Sequence, residues 1–220
     1  MTAVLFDMDG VLVDSEDYWV EFEATELFPD AVPDHDVDLN ETSGMNFREI
    51  YDYLDDEYGT AISREEWIDR FDEMARDVYT EEVSLLSGLP DLLAALDERN
   101  VTVAVVSSSP RAWISLVLDR FDLADEFDAV VSADDIDAAS KPAPDVYEHA
   151  ASVVGEPTAD CVAVEDSENG IEAADRAGTT VVAYRIDAHG DLEYERADAV
   201  VDDPGELRET VFELSTSDGR

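Results

Sequence analysis

The sequence predicts an α/β fold, a doubly wound parallel sheet with a small α-helical domain inserted after its first strand. From residue 86 onward, short apolar runs of strand length alternate with helical patterns, which is typical of a parallel sheet covered by helices. Residues 15–85 are instead helical and rich in aromatic side chains, without a convincing strand. We therefore predict a core domain of residues 1–14 and 86–220 and a helical domain of residues 15–85.

The first predicted strand, residues 3–6, is an apolar run of the kind that is buried on both faces of a sheet. It ends at Asp7 and Asp9, and Gly10 then allows a sharp turn. Open α/β sheets bind ligands at the carboxyl ends of their strands, where one acid can attack or bind metal while the other exchanges protons. Because the chain contains 33 Asp, this D-x-D-G pattern alone is weak evidence for a site.

The inserted segment contains three helical patterns. Apolar residues at helical spacing predict one helix over residues 16–28, closed by Pro29, and another over residues 46–58. Ser63 and Glu66 fit a capping box that begins the third helix.

Strands and helices alternate in the rest of the chain. The predicted strands are residues 101–106, 128–131, 161–164, 180–184 and 199–201. The predicted helices are residues 90–99, a helix opened by Ser109 as N-cap and Pro110, residues 144–155, and a helix ending at Gly178.

The chain is strongly acidic, with a formal charge of −44 spread along its 220 residues. Of the 13 basic residues, 12 are Arg and one is a lysine, Lys141. Such a surface suits concentrated salt, since the Debye length at about 1 M is roughly 3 Å and self-repulsion is screened. A docking surface for a basic partner is the alternative. Nucleic acid is excluded as a partner by the charge.

One cysteine, Cys161, rules out an internal disulfide, and its place beside an apolar strand predicts a buried thiol. The N-terminus lacks a signal-peptide pattern, and no apolar run has membrane-spanning length. We expect a cytoplasmic protein without a membrane partner, as a monomer or weak homo-oligomer.

Polar groups follow four predicted strands or loops, and in a parallel sheet they converge on one edge. Ser107, Ser108 and Ser109 lead into a helix N-terminus, which suits a phosphate, although an ordinary helix cap is the alternative. Lys141 lies in a loop stiffened by two prolines, where a compact ammonium suits crowded oxygens, unless its retention is accidental. The adjacent Glu165 and Asp166 indicate a cation, and Mg²⁺ fits a site with few protein oxygens and a phosphate to share.

These segments together resemble the haloacid dehalogenase superfamily of phosphohydrolases, over nearly the whole chain. The four matching motifs, in order, are residues 6–15, Ser107, Lys141 within Ser140-Lys141-Pro142, and Glu165-Asp166-Ser167 with Asn169-Gly170-Ile171. The core would then be the Rossmann-like domain of that superfamily and residues 15–85 its helical cap. Residues 139–145 and 165–167 resemble the branch that contains β-phosphoglucomutase and phosphoglycolate phosphatase.

The resemblance implies a role for each catalytic candidate. Asp7 would attack phosphorus and become a phosphoaspartate, and Asp9 would protonate the leaving alcohol and then activate water. Ser107 would hold a phosphate oxygen, and Lys141 would neutralise charge at the reacting group. These roles agree with the physics of phosphoryl transfer, which depends mainly on positioning and charge neutralisation.

The resemblance also implies ligands for Mg²⁺. Asp166 would bind it with the Asp7 carboxylate and the Asp9 main-chain carbonyl, and Glu165 would join directly or through water. The further candidates for substrate contacts are Ser108, Asn169 and Arg48.

Two departures concern the mutases of this branch. They place a basic residue, typically His, shortly after the first motif, where this chain has Tyr18-Trp19. Their cap also carries an Arg for the second phosphate of a bisphosphate, and Arg48 is the nearest candidate here.

We therefore predict a magnesium-dependent phosphatase of small phosphorylated metabolites, of the sugar phosphate or phosphoglycolate class, adapted to high salt. The alternatives are a sugar phosphomutase, a dehalogenase, which would lack a second acid like Asp9, and a non-enzymatic phospho-Asp switch module.

Overall fold

A computed structural model describes residues 3–42, 45–190, 192 and 194–216. In this part of the chain, six parallel strands form one sheet in the order β3-β2-β1-β4-β5-β6. The strands are β1 (Ala3–Phe6), β2 (Thr102–Ser107), β3 (Ala129–Ser132), β4 (Cys161–Glu165), β5 (Thr180–Tyr184) and β6 (Ala199–Val201). Strand β1 is central, since Phe6 is in register with Val105 on one side and Val164 on the other.

Helices cover both faces of the sheet, so the predicted doubly wound α/β fold is confirmed. The helices that follow β1 in the core are α5 (Leu89–Asp97), α6 (Arg111–Arg120), α7 (Asp145–Val154), α8 (Glu168–Ala177) and α9 (Pro204–Thr216). Alternate residues of β1 enter two separate apolar clusters: Val4 and Phe6 pack in one, Ala3 and Leu5 in the other. This period of two is the direct consequence of strand geometry in a sheet buried on both faces.

The segment between β1 and β2 is helical, as predicted. Its helices are α1 (Glu16–Phe22), α2 (Phe28–Ala31), α3 (Phe47–Glu57) and α4 (Arg64–Asp77), with π-helical segments at Glu23–Leu27 and Val78–Glu82. The Ser63 hydroxyl accepts a hydrogen bond from the amide of Glu66, which confirms the predicted start of α4.

Two local predictions were wrong. Pro29 does not close the first helix, because it occupies the first turn of α2 after the π-helical segment, where a missing amide hydrogen is tolerated. Ser109 is not the N-cap of α6: Pro110 takes that position, and the Ser109 hydroxyl donates to Asp9 instead.

Side chains of α3 and its N-cap tie the inserted segment to core loops beside the end of the sheet. Asn46 Nδ2 donates to the carbonyl of Ser108 at 2.9 Å, and the Glu49 carboxylate accepts from the Ser140 hydroxyl. Aromatic residues of both parts share one apolar cluster. Within the described residues, no helix combines the length and apolar character needed to cross a bilayer.

Candidate active site

The predicted catalytic residues meet at the carboxyl edge of the sheet. Asp7 follows β1, Ser107 ends β2, and Asp166 follows β4, so the register of three adjacent strands brings them side by side. The amide of Asp7 also donates to the carbonyl of Val164 at 2.9 Å, which extends the ladder by one residue and fixes the Asp7 backbone. The loop before α7 adds Lys141 to the same edge.

Lys141 is the cation at the centre of the site. Its Nζ lies 2.8 Å from Asp7 Oδ1 and 2.6 Å from Glu165 Oε1, and its side chain is 1% exposed. Burial alone would lower the pKa of Lys141, but the charges of Asp7 and Glu165 and their hydrogen bonds raise it above its ordinary value. Lys141 therefore stays protonated and holds one oxygen of Asp7.

Glu165 is fully buried, and its oxygens are occupied by protein donors. The two oxygens accept hydrogen bonds from Lys141 Nζ, Tyr147 Oη, the Asp166 amide and Ser167 Oγ. A Cβ on Gly170 would lie 2.1 Å from Glu165 Oε2, so only glycine fits beside this carboxylate. The surroundings fix Glu165 as an anchor for Lys141.

Asp9 is oriented by three hydroxyl groups from three parts of the chain. Ser15 Oγ and Tyr79 Oη each donate to Oδ1 at 2.6 Å, and Ser109 Oγ donates to Oδ2 at 3.1 Å. Burial, followed by the nearby charge of Asp9, raises the pKa of Tyr79, so its hydroxyl remains a donor. These contacts hold the Asp9 carboxyl at the rim of the same cavity as Asp7.

Asp166 is packed between glycine and histidine. A Cβ on Gly10 would lie 1.9 Å from Asp166 Oδ2, so a larger residue would clash with this carboxylate. Gly10 also has φ +71°, a backbone conformation that favours glycine. His189 Nε2 lies 2.9 Å from the same oxygen and 3.9 Å from Glu16 Oε2. Asp166 Oδ2 is thus held by protein groups.

The acids around Lys141 have the composition of a divalent-cation site. One carboxylate oxygen each of Asp7, Glu165 and Asp166 lies within 4.8 Å of the others. Burial raises the pKa of Asp7 and of Asp166, and the charge of Glu165 raises both further, while Lys141 lowers them. One lysine does not neutralise these crowded carboxylates, and an all-oxygen donor set suits Mg²⁺, so the residues fit the predicted ion. The Asp9 side chain is outside this group.

A cavity of about 480 Å³ opens above the site. The predicted residues among its lining are Asp7, Asp9, Ser107, Ser108, Lys141 and Asp166. Ser107 Oγ accepts from the amide of Ser109 at 3.0 Å, and its hydroxyl hydrogen has no acceptor among the described residues. Ser107 can therefore donate to a ligand in the cavity.

The structure does not bring Arg48 or Asn169 to this cavity. Phe47, the first residue of α3, turns inward and lines it, so Arg48 lies about 100° further round the helix. The Arg48 guanidinium pairs with Asp134 Oδ1 at 3.0 Å and is 35% exposed. Asn169 lies in the first turn of α8, outside the lining. This geometry gives no support for a contact of these two residues with a substrate in the cavity, and their assignment stays a prediction.

Several residues of the site were not predicted from the sequence. They are Ser15, Glu16, Tyr79, Tyr147 and His189. Ser15 is the last residue of the first motif and Glu16 follows it, and that proximity was an available signal. Tyr79 is 70 residues from its partner Asp9 in the chain. A tyrosine at helical spacing predicts a residue of the apolar core and gives no signal of a catalytic contact.

Comparison with known proteins identifies the family. Residues 4–184 match the family described as haloacid dehalogenase-like hydrolase. Hexitol phosphatase B of Escherichia coli (strain K12) is 33% identical over 213 residues, covering 93% of each chain. Beta-phosphoglucomutase of Bacillus subtilis (strain 168) is 33% identical over 193 residues, covering 83% of this chain and 82% of that one.

A solved structure of CbbY from Rhodobacter sphaeroides in complex with phosphate shares the fold. Its TM-score is 0.78 at 24% identity, and the match covers 94% of this chain and 96% of that one. The chain therefore belongs to the haloacid dehalogenase-like hydrolase family, in the branch of phosphatases and phosphomutases, which confirms the prediction of a phosphoric monoester hydrolase at the level of the family.

Proposed function

We propose that this chain is a magnesium-dependent phosphatase that hydrolyses monophosphate esters of small polyhydroxylated metabolites through a phosphoaspartate on Asp7. The observation that carries the proposal is the buried contact of 2.8 Å between Lys141 Nζ and Asp7 Oδ1. A carboxylate held by a lysine at a sheet edge can present its second oxygen to phosphorus, with the cation beside the reacting group.

The first half of the reaction transfers the phosphoryl group to the enzyme. The free oxygen of Asp7 attacks phosphorus, and the bond from phosphorus to the alcohol oxygen breaks. Asp9 gives a proton to that oxygen, and the alcohol leaves. Lys141 offsets the charge on the transferring group, and the Ser107 hydroxyl donates to one of its oxygens.

The second half returns the enzyme to its starting state. Asp9, now a carboxylate, takes a proton from water, and the resulting hydroxide attacks phosphorus of the phosphoaspartate. The bond to Asp7 breaks, and inorganic phosphate leaves. Ser15, Tyr79 and Ser109 keep the Asp9 carboxyl in place through both proton transfers.

Asp7 and Asp166, with the main-chain carbonyl of Asp9, are the groups we assign to Mg²⁺. When bound, the ion would neutralise negative charge on the phosphoryl group and its carboxylate neighbours. We assign Glu165 the task of holding Lys141, because four donors already occupy its oxygens.

We also propose that residues 15–85 act as a cap over the cavity, and that the enzyme works in concentrated salt inside the cell. The cap is supported by the cavity-lining residues Trp19, Phe47 and Phe71, which all come from the inserted segment. The salt adaptation is supported by the charge of −44 and by the replacement of lysine with arginine at all basic positions but one.

The phosphomutase is the second candidate, supported by the relative from Bacillus subtilis. Against it, Lys141 is the sole Lys or Arg among the described residues that line the cavity, and Asp7 and Glu165 already engage it. A bisphosphate intermediate would find no further Lys or Arg for its second phosphate among these described lining residues.

Phosphate release from a panel of phosphorylated metabolites tests the proposal, with Mg²⁺ and molar KCl and with excess EDTA as the control. We expect release of phosphate that EDTA abolishes. Turnover that is unchanged in EDTA would overturn the magnesium-dependent mechanism. Conversion of β-glucose 1-phosphate to glucose 6-phosphate with little free phosphate, in the presence of a bisphosphate primer, would establish the mutase.

A further inference from the structure

One part of the cavity lining is an aromatic wall built from four helices. Trp19 of α1 stacks on Trp113 of α6 at 5.8 Å between ring centroids, with 16° between the ring planes. Trp19 also stacks on Phe71 of α4 at 5.6 Å, and Phe47 of α3 stacks on Trp113 at 4.8 Å. All four rings line the cavity, and their mutual stacking stabilises this arrangement.

Glu23 interrupts this wall with a carboxyl group. It lies four residues after Trp19, at the start of the π-helical segment, and lines the same cavity. Among the described residues its carboxyl has no hydrogen-bond or ion-pair partner, and burial raises the pKa of Glu23 to about 8. Glu23 is half-buried beside the aromatic rings and near Glu16, and a carboxyl group there is costly unless something hydrogen-bonds to it, so Glu23 is positioned to contact a ligand.

The charges around the cavity limit what that ligand can be. Besides the acids of the catalytic centre, Glu16, Glu23 and Asp38 line it. The basic side chains that line it are engaged, since Lys141 contacts Asp7 and Glu165, and His189 contacts Asp166. A second anionic group on the substrate would face carboxyl groups and aromatic rings, with no described cation free to receive it.

We propose that Glu23 is a specificity-determining residue that hydrogen-bonds a hydroxyl group of the substrate, and that this cavity rejects esters carrying a second anionic group. The inference rests on the proposed function and narrows it to monophosphates of uncharged polyols and sugars. A protonated carboxyl can donate one hydrogen bond and accept another, which suits a hydroxyl. The apolar C–H edges of the carbon chain would pack on Trp19 and its neighbours. Phosphoglycolate and bisphosphates are then poor substrates.

Matched substrates test the rejection of a second anion. Glucose 6-phosphate, sorbitol 6-phosphate and 6-phosphogluconate have the same chain length, and 6-phosphogluconate differs by a carboxylate at the far end. We expect kcat/KM to be about 100-fold lower for 6-phosphogluconate, and similarly low for fructose 1,6-bisphosphate. If kcat/KM for 6-phosphogluconate or fructose 1,6-bisphosphate equalled or exceeded that for glucose 6-phosphate and sorbitol 6-phosphate, the inference would be overturned. p-Nitrophenyl phosphate serves as a general substrate, and loss of activity on it as well would count against the proposed function instead.

Variants test the role of Glu23 itself. Glu23→Leu should raise KM for sorbitol 6-phosphate about tenfold, by loss of one hydrogen bond, with a smaller change for p-nitrophenyl phosphate. Glu23→Gln retains a hydrogen-bond donor and an acceptor, so its KM for sorbitol 6-phosphate should stay within about threefold of the wild-type value. This variant keeps the test valid if the leucine variant fails to fold, because a much larger change in its KM would also contradict the assignment. Glu26→Gln, on the exposed side of the same segment, is the control and should match the wild type. Equal KM for sorbitol 6-phosphate in Glu23→Leu and the wild type would refute the assignment.

Discussion

Lys141 and Asp7 form a buried ion pair, with Nζ 2.8 Å from Oδ1, although they are 134 residues apart in the chain. Every other basic residue of the protein is an arginine. A guanidinium is planar and wider than an ammonium, and it cannot replace a compact point charge between two carboxylates. The geometry therefore gives a physical reason for the presence of a lysine at this position. From the sequence alone, a chance occurrence was the alternative.

Lys141→Arg should lower kcat by about 100-fold although the charge is retained, because the guanidinium does not fit between Asp7 and Glu165. The measurement is steady-state phosphate release with Mg²⁺ in molar KCl. The reverse exchange at an exposed position, Arg208→Lys, is the matched control and should leave kcat unchanged. Near-normal turnover of Lys141→Arg would show that the site needs only a positive charge.

Tyr79→Phe should lower kcat about tenfold with little loss of stability. The phenyl ring keeps the packing, whereas Asp9 loses a hydroxyl donor at 2.6 Å that orients its carboxyl for proton transfer. Because we propose that Asp9 is both the acid and the base, the pH profile of kcat should also shift. Tyr53→Phe removes a hydroxyl bonded to Glu41 on the surface and should change neither quantity. If Tyr79→Phe kept the kcat and the pH profile of the wild type, the Tyr79 hydroxyl would have no role in orienting Asp9.

The stability of the protein should rise with salt. Between about 0.1 M and about 2 M KCl, the melting temperature should increase, since screening weakens the repulsion among 57 acidic side chains. Thermal unfolding followed by circular dichroism measures this directly. A melting temperature that stays flat or falls over that range would contradict adaptation to concentrated salt.

Glu23 should make stability depend on pH in a defined window. Its folded pKa of about 8 is raised from 4.5 by burial, so the folded state binds more protons than the unfolded state between those values. Stability then falls as pH rises through that window and levels off above it. Relative to the wild type, Glu23→Gln should gain melting temperature at about pH 8 and gain little at about pH 4.

Glu26→Gln removes the same formal charge from an exposed position and corrects for the general self-repulsion of the chain. An equal gain in the two variants at both pH values would show that Glu23 titrates like a surface carboxyl.

The fold could be predicted closely because its signals are local. Each predicted strand lies within one residue of its observed bounds, since the apolar runs that bury both faces are short and end at turn residues. The four motifs converge because parallel strands place their carboxyl ends on one edge. Sequence spacing and sheet geometry together were sufficient for Asp7, Ser107, Lys141 and Asp166 to be placed near one another. Their catalytic roles stay predictions.

The surroundings of those residues depend on tertiary contacts that no local pattern contains. The direction of Arg48 depends on which side of α3 faces the core, and Phe47 takes the inward position. His189 ends a short 3-10 turn, Asp187–His189, and only the approach of that turn to Asp166 gives it a partner. In the sequence, Glu23 is one of many acids on predicted helices. Only the structure shows that it lines the same cavity as the aromatic rings.

Mass spectrometry of the acid-quenched enzyme tests the phosphoaspartate most directly. The Asp9→Asn variant, incubated with Mg²⁺ and p-nitrophenyl phosphate, whose phenolate leaves without a proton from Asp9, should accumulate the intermediate because hydrolysis lacks its base. The account predicts that the peptide containing Asp7 gains the mass of one phosphoryl group, and that the gain is absent when Asp7 is also changed to Asn. Turnover by the single variant Asp7→Asn, or a phosphoryl group on a different residue, would contradict it.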